Sequence, residues 1–422
     1  MGEPIRIALI GTGFISHRHM KVWSHIPEVT VVAAADVDEK ALRSFGEQYG
    51  LTEKDLYTDF REMLKRDDFA AVDVCVHNNL HAPVSLAVMK AGFHCYCEKP
   101  MSASYADSKL IYDCARATGR KLAVQISSLF SAQTLIAKRV IDAGKLGDVY
   151  HARSCAATPR RRPHVDRDAA GLSAAFQDKA MAGHGAVIDV GVYHMGQMLY
   201  LLGLPELDTV LGQLYQRIPV GNPAWADGSG YGQARPMGVD EMAVAFAKFR
   251  GGLTLEFCEA NAANPENLGS SYITGTLGAL EYDMSDAFGG DWSMGMPPFG
   301  FLPEVLQPKL RFLGRDDLGF TVTTDYRPYE NQQDLKFYEP AMAQWFDNQL
   351  HWYNYLTGSL TDETRYDTPR IALNCSLLAE GIALSSERGG AVTAEEIRTE
   401  SKSLALWKQE TPWGVFDYDS SF

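Results

Sequence analysis

The chain has 422 residues, with Lys+Arg 39 against Asp+Glu 53 and a formal net charge of −14. At roughly 100 to 200 residues per domain this makes two or three units, each able to bury its own core, and excludes a small stapled scaffold. The acidic balance would repel polyphosphate, which argues against nucleic acid or an anionic membrane as partner, and 46% hydrophobic with 22% charged residues excludes a disordered chain. Seven cysteines (75, 95, 97, 114, 155, 258 and 375) are an odd number spread through apolar segments, so reduced thiols in a cytoplasmic protein are expected. The pair Cys95 and Cys97 has no second pair and no His at ligand spacing, so no metal is expected. The start of the chain shows neither a charged leader nor a cleavage site, and no stretch approaches the roughly 18 apolar residues of a membrane span, so secretion and membrane insertion are not expected.

In chain order, the apolar run 5–10 ends at Gly11, and helical spacing follows from Phe14 to Ile26. The β-branched run 29–35 stops at Asp36. Helices over 39–49 and 59–66, an apolar run 71–76, a helix over 82–91, a run 93–97, a helix over 104–118 and a strand over 121–126 continue the alternation. Apolar strands separated by helices predict a doubly wound parallel sheet. Beyond residue 130 the rhythm changes. A helix over 132–143, a strand over 148–154, an irregular segment 155–185 and a helix over 187–202 precede strands at 207–217, 240–249 and 252–260. Strands following strands imply a second domain of α+β type with a largely antiparallel open sheet. The Gly-, Pro- and aromatic-rich stretch 284–335 reads as a long excursion, and helices over 338–356 and 369–386 close the chain. The expected domains are 1–128, binding a nucleotide, and 129–422, binding substrate and carrying the oligomer contacts.

Gly11-Thr12-Gly13-Phe14-Ile15-Ser16 follows the first strand and opens the first helix, where a dinucleotide fingerprint must sit. Gly11 allows the tight turn, Gly13 lets backbone approach a pyrophosphate, and the helix N-terminus supplies free N–H groups. Ser16 replaces the third glycine. Asp36, at the end of the second strand, can accept the ribose hydroxyls of the adenosine. With Val37 and Asp38 after it and no adjacent Arg or Lys, NAD is expected over NADP.

His77-Asn78-Asn79-Leu80-His81 and Cys97-Glu98-Lys99-Pro100 fall at carboxyl ends of successive strands, where ligands bind in such sheets. With the fingerprint, Gly144-Lys-Leu-Gly147 and Asp189-Val-Gly191-Val-Tyr193-His194, they resemble the glucose-fructose oxidoreductase, inositol dehydrogenase and MocA family of pyridine-nucleotide oxidoreductases across most of residues 5–205. The resemblance implies that Asn78, His81, Glu98, Lys99 and Gln125 join Gly11 to Ile15 and Asp36 around the cofactor. It also implies that Lys99 faces the reacting hydroxyl, where a cation stabilises the developing alkoxide. Pro100 shapes that turn and invites a cis peptide.

A helix starting near 187 would put Asp189 and Tyr193 on one face, so a carboxylate and a proton-transferring group could converge on one substrate. Tyr193 stands where most of the family has His, and His194 points about 100° away on the same helix. Tyr193 is therefore the first choice for acid/base chemistry and His194 the second. Arg160 and Arg162, in the segment before that helix, are candidates for gripping an anionic group of the substrate, with the cofactor or solvent alone as the alternatives, and Lys179 resembles a site lysine of the family, which implies substrate contact.

The leading reading is an NAD-dependent oxidoreductase acting on a ring hydroxyl, at C3, of a pyranose or glycoside, working as a dimer or tetramer. The alternative uses the same residues for transient C3 oxidation, elimination and re-reduction, giving an NAD-dependent glycosidase for an anionic glycoside such as a sulfoquinovoside. A non-catalytic sensor of NAD or sugar is the third reading, disfavoured because a sensor needs no acid/base pair.

Overall fold

The structure is a computed structural model. It describes residues 4–159, 176, 178–217, 219–220, 235–236, 238–263, 268–282, 309–314, 319–323, 340–361, 365–411 and 414–418. The chain forms two compact units: Met1–Ile126 with Trp345–Ser376 and Lys402–Phe422, and Ser127–Gln344 with Leu377–Ser401. The residues 345–376 and 402–422 thus cluster with the first unit, which a single boundary at 128 does not provide for. No helix among the described residues is long and apolar enough to cross a membrane.

The first unit alternates β1 (Ile5–Ile10), α1 (Phe14–Trp23), β2 (Val29–Ala35), α2 (Glu39–Tyr49), β3 (Leu56–Tyr57), α3 (Phe60–Met63), β4 (Ala71–Val74), α4 (His81–Lys90), β5 (His94–Cys97), α5 (Tyr105–Thr118) and β6 (Leu122–Val124). The strands make one sheet in the order β3-β2-β1-β4-β5-β6, parallel throughout. That order reverses between β1 and β4, which opens a crevice at the carboxyl ends of the strands. Ile7, Trp23, Ile26, Ala71, Tyr96 and Ala123 form one core cluster with Trp352, which stacks on Tyr96 at 5.9 Å. Leu9, Met20, Ala34, Leu42 and Phe45 form another.

In the second unit come α6 (Ala132–Asp142), β7 (Val149–Pro159), α7 (Lys179–Ala182), α8 (Ala186–Asp189), α9 (Gly191–Leu201), β8 (Leu207–Tyr215), a short pair β9 (Pro219–Val220) and β10 (Arg235–Pro236), β11 (Met242–Phe249), β12 (Thr254–Ala263), β13 (Ser271–Gly275), β14 (Gly278–Tyr282), β15 (Lys309–Gly314) and β16 (Gly319–Thr323). Helices α10 (Pro340–Thr357) and α11 (Thr368–Arg388) follow in the chain, each divided between the two units, then β17 (Val392–Thr393) and α12 (Ala394–Glu400) in the second unit and β18 (Lys408–Thr411) and β19 (Gly414–Asp417) in the first. Among the described residues nine strands form one sheet, β16-β15-β14-β13-β7-β12-β11-β8-β17, antiparallel at every pairing except β7 with β12. Several expectations change: β7 runs to Pro159, into the segment expected to be irregular from residue 155, and β3, β13 and β14 are strands that the sequence pattern did not announce. The stretch 284–335 contributes β15 and β16 to the sheet, the chain closes on α12 and the β18–β19 hairpin, and the helix over 187–202 is interrupted at Val190.

Candidate active site

β1 delivers the chain to Gly11, whose φ of +94° and close approach to the Cys75 carbonyl leave no room for a side chain. At Gly13 the opposite holds: a Cβ would meet nothing within 4 Å, so the space before α1 is open. The first turn of α1 has no side-chain cap and no acidic residue, which leaves its N–H groups and positive end to an anion. Ser16 is fully buried, and its hydroxyl donates to the Gly13 carbonyl at 2.6 Å, so the departure from the fingerprint is absorbed within the turn. Asp36 Oδ2 accepts the Thr12 N–H at 2.6 Å and the Thr12 hydroxyl at 3.0 Å, and Oδ1 accepts the Asp38 N–H at 2.9 Å. The carboxylate therefore ties the glycine turn to β2, while Oδ1 keeps acceptor capacity toward a ribose.

At the carboxyl ends of β4 and β5, Asn78 and His81 are buried. His81 Nδ1 lies 2.6 Å from the Pro100 carbonyl and Nε2 3.0 Å from that of Val76, and burial pushes its pKa below the usual histidine range. His81 thus holds the turn that carries Lys99. The Lys99–Pro100 peptide is cis. Glu98 is buried at 3% exposure; its Oε2 accepts the Lys99 N–H at 2.9 Å and its Oε1 lies 2.9 Å from His19 Nε2. The other nitrogen of His19 faces both oxygens of Asp73, at 2.8 and 3.0 Å, and the Trp23 indole N–H donates to Asp73 at 2.7 Å. Burial alone would lower the His19 pKa, but the Asp73 charge and hydrogen bond outweigh it and hold His19 well above its ordinary value. His19, Asp73 and Cys75 bring ligand-type atoms within 4.8 Å of one another, yet Trp23 and Glu98 complete them as a hydrogen-bond cluster. Gln125, after β6, accepts from the Tyr96 hydroxyl at 2.6 Å, and its buried Nε2 has no partner among the described residues. The open helix end, the space at Gly13, the carboxylate after β2 and the spare amide donor of Gln125 fit a bound dinucleotide.

In the second unit, Asp240 receives the Gly185 N–H at 2.7 Å and the Val187 N–H at 2.9 Å, capping α8. Asp189 is the last residue of α8 and is buried. Across the break the Tyr193 N–H bonds to the Val190 carbonyl at 3.1 Å, so the shared-face argument for Asp189 and Tyr193, which assumed an unbroken α-helix, does not carry over as made. Tyr193 is buried, and its carbonyl accepts the Ser128 hydroxyl at 2.8 Å. His194 Nδ1 lies 2.5 Å from Glu259 Oε2 on β12, both side chains being 1% exposed. Burial raises the Glu259 pKa, the His194 contact opposes this, and the nearby Asp189 charge adds to it. Lys179 opens α7 and is exposed. Arg160 and Arg162 lie outside the described residues.

Sequence reasoning did not single out His19, Asp73, Asp240 or Glu259. A signal existed for two of them. Asp73 within Ala71–Val74 and Glu259 within Thr254–Ala263 are carboxylates inside apolar strands, and a buried carboxylate demands a partner.

Residues 5–126 match the oxidoreductase family model with an NAD-binding Rossmann fold, and residues 134–281 match the GFO/IDH/MocA C-terminal domain. The chain is 27% identical over 217 residues to D-glucoside 3-dehydrogenase of Escherichia coli, a match spanning 51% of this chain and 59% of that protein. It is 26% identical over 303 residues to levoglucosan dehydrogenase of Pseudarthrobacter phenanthrenivorans, spanning 67% and 74%. The chain thus spans little more than half of the first of these relatives. Among solved structures, levoglucosan dehydrogenase with NADH and levoglucosan superposes at TM-score 0.71 with 20% identity, covering 93% of this chain and 100% of that one. An oxidoreductase domain protein from Kribbella flavida superposes equally well, at TM-score 0.71 with 20% identity and the same coverage.

Proposed function

Because the chain belongs to the GFO/IDH/MocA family of NAD-binding oxidoreductases, we propose that it oxidises a ring hydroxyl, at C3, of a pyranose sugar or glycoside. The observation that carries this reading is the Glu98-Lys99-Pro100 turn at the end of β5, gripped by Glu98 on one side of Lys99 and by His81 on the other. Bound NAD supplies the hydride acceptor. The Lys99 ammonium stabilises the alkoxide that forms as the hydroxyl loses its proton. Tyr193, with Asp189 close by in sequence, takes the acid/base role, while His194 is engaged by Glu259 and braces α9 against β12. The C3 position is supported by the glucoside 3-dehydrogenase among the relatives, and the ring substrate by levoglucosan dehydrogenase.

The same reading includes a homo-oligomer, supported by apolar side chains on the open sheet face of the second unit: Leu211 is 53% and Phe246 41% exposed. All seven cysteines are free and buried, which supports a reducing cytoplasmic setting.

The test is to incubate the protein and NAD with methyl glucoside, p-nitrophenyl glucoside, levoglucosan and myo-inositol, following NADH, nitrophenol and, by NMR, the carbon oxidised. NADH in proportion to a pyranose, with a 3-keto product and intact glycosidic bond, is expected. Nitrophenol release without net NADH would replace the dehydrogenase by the elimination cycle, and an inert panel would reject the substrate class.

A further inference from the structure

We propose that His19 is a positioning residue for Lys99, acting through Glu98; the inference rests on the reading that Lys99 serves the reacting hydroxyl. Both ring nitrogens of His19 face carboxylates, Asp73 at 2.8 and 3.0 Å and Glu98 at 2.9 Å. Carboxylates only accept, so the two interactions together require a doubly protonated ring. Asp73 is itself fixed by the Trp23 indole N–H at 2.7 Å, which leaves the imidazolium little freedom to turn.

The consequence reaches Lys99 by a short path. With Oε1 committed to His19, Glu98 presents Oε2 to the Lys99 N–H at 2.9 Å, and the Pro100 carbonyl on the far side is held by His81 at 2.6 Å. The main chain is thus fixed on both sides of Lys99. Without His19, the buried Glu98 carboxylate would lose its counter-charge and reorient, and the Lys99 amide would lose its acceptor. Buried charged clusters give little net stability over apolar residues of equal volume, so the value of this one lies in orientation. His19, Asp73, Glu98 and Lys99 all belong to the first unit.

Two substitutions separate the two faces of the ring. In His19→Asn the amide nitrogen falls near the former Nδ1, keeping a donor for Asp73 and losing the one for Glu98. In His19→Gln it falls near Nε2 and keeps the donor for Glu98. His19→Asn should lower kcat by about 10²-fold, the penalty of slight misplacement, with the Kd for NAD and the sugar KM within about threefold. His19→Gln should recover much of that loss. A His19→Asn/Lys99→Ala double variant should be no slower than Lys99→Ala, because two residues acting through one group are not additive. Acetic anhydride should label Lys99 several-fold faster in His19→Asn, with the well-exposed Lys65 and Lys408 as unchanged references. Should His19→Asn not fold, Glu98→Gln, which leaves His19 with Asp73, is measured in its place with the same expectations for kcat and labelling.

Normal kcat with unchanged Lys99 labelling, equal damage from Asn and Gln, or multiplying losses in the double variant would overturn the inference. Lys99→Ala that still turns over would instead overturn the proposed role of Lys99. An inactive Lys99→Ala beside a normal His19→Asn would remove only the positioning role. If no sugar of the panel reacts, the labelling rate decides alone.

Discussion

Tyr193 and His194 are adjacent and both buried, but they differ in what their removal leaves behind. Truncating His194 strands the Glu259 carboxylate, 1% exposed, without its partner. Breaking a buried pair from one side costs about 3–5 kcal/mol, so His194→Ala should lower the Tm markedly. Tyr193→Phe removes only a hydroxyl and should leave the Tm within a few degrees while lowering kcat by about 10²-fold or more, the scale of general acid/base catalysis. Thermal melts and steady-state kinetics on the two variants check this. A stable, inactive His194→Ala beside an active Tyr193→Phe would move the acid/base role to His194. The sequence puts both residues in view through the spacing from Asp189. It does not show which one Glu259 would bind, because that partner lies 65 residues further along, on β12.

At the scale of elements, α8 is four residues long and cannot sustain itself; isolated helices below about 12 residues are marginal even in favourable sequences. Its N-terminus is held by the Asp240 side chain, and the Ala186 N–H bonds to the Asp240 carbonyl at 2.9 Å. Gly185 makes this approach possible, since a Cβ there would run into that carbonyl. Asp240→Ala leaves two backbone donors without their acceptor and should destabilise by about 2 kcal/mol. Because α8 ends in Asp189, turnover should fall as well, and Asp240→Asn should restore part of both, read by denaturant unfolding and initial rates. A neutral Asp240→Ala would show that α8 is held by packing instead. Five of the six parallel strands and their helices were legible because each is apolar enough to announce itself; the two-residue β3 was not. β15 and β16 were not, since Lys309–Gly314 and Gly319–Thr323 sit in a Gly- and Pro-rich stretch and gain their order by pairing with β14 and each other. The break at Val190 was equally invisible, because the apolar spacing runs on through it.

For the molecule as a whole, the alternation in β11 buries Ala243, Ala245 and Ala247 and turns Phe246 outward, directly across from Leu211 on β8. A cross-strand pair of large apolar side chains left in water favours being covered by a second copy of the chain. Phe246→Glu combined with Leu211→Glu should shift the protein toward monomer in light scattering with little loss of Tm, since neither side chain is in the core. Unchanged mass would place the oligomer contact elsewhere, and a monomeric parent would remove the oligomer from the proposed function.

What the sequence by itself determined is whatever local chemistry writes: the doubly wound domain, from apolar runs alternating with helices; the glycine turn and Asp36, from their spacing; the Glu98-Lys99-Pro100 turn, from its place after an apolar strand. Each is a property of a few consecutive residues in a known place. Only the tertiary structure decided that His19 is clamped between Asp73 and Glu98, that Glu259 takes His194, that Asp240 caps α8, and that Trp352 returns to cover Tyr96. The polar pairings among these join residues 54 to 79 positions apart, and what selects them is the cost of leaving a buried charge or donor unmatched, while the Trp352 stack is selected by apolar burial. That cost has no local signature, so the carboxylates in apolar strands announce that a partner must exist without saying which one.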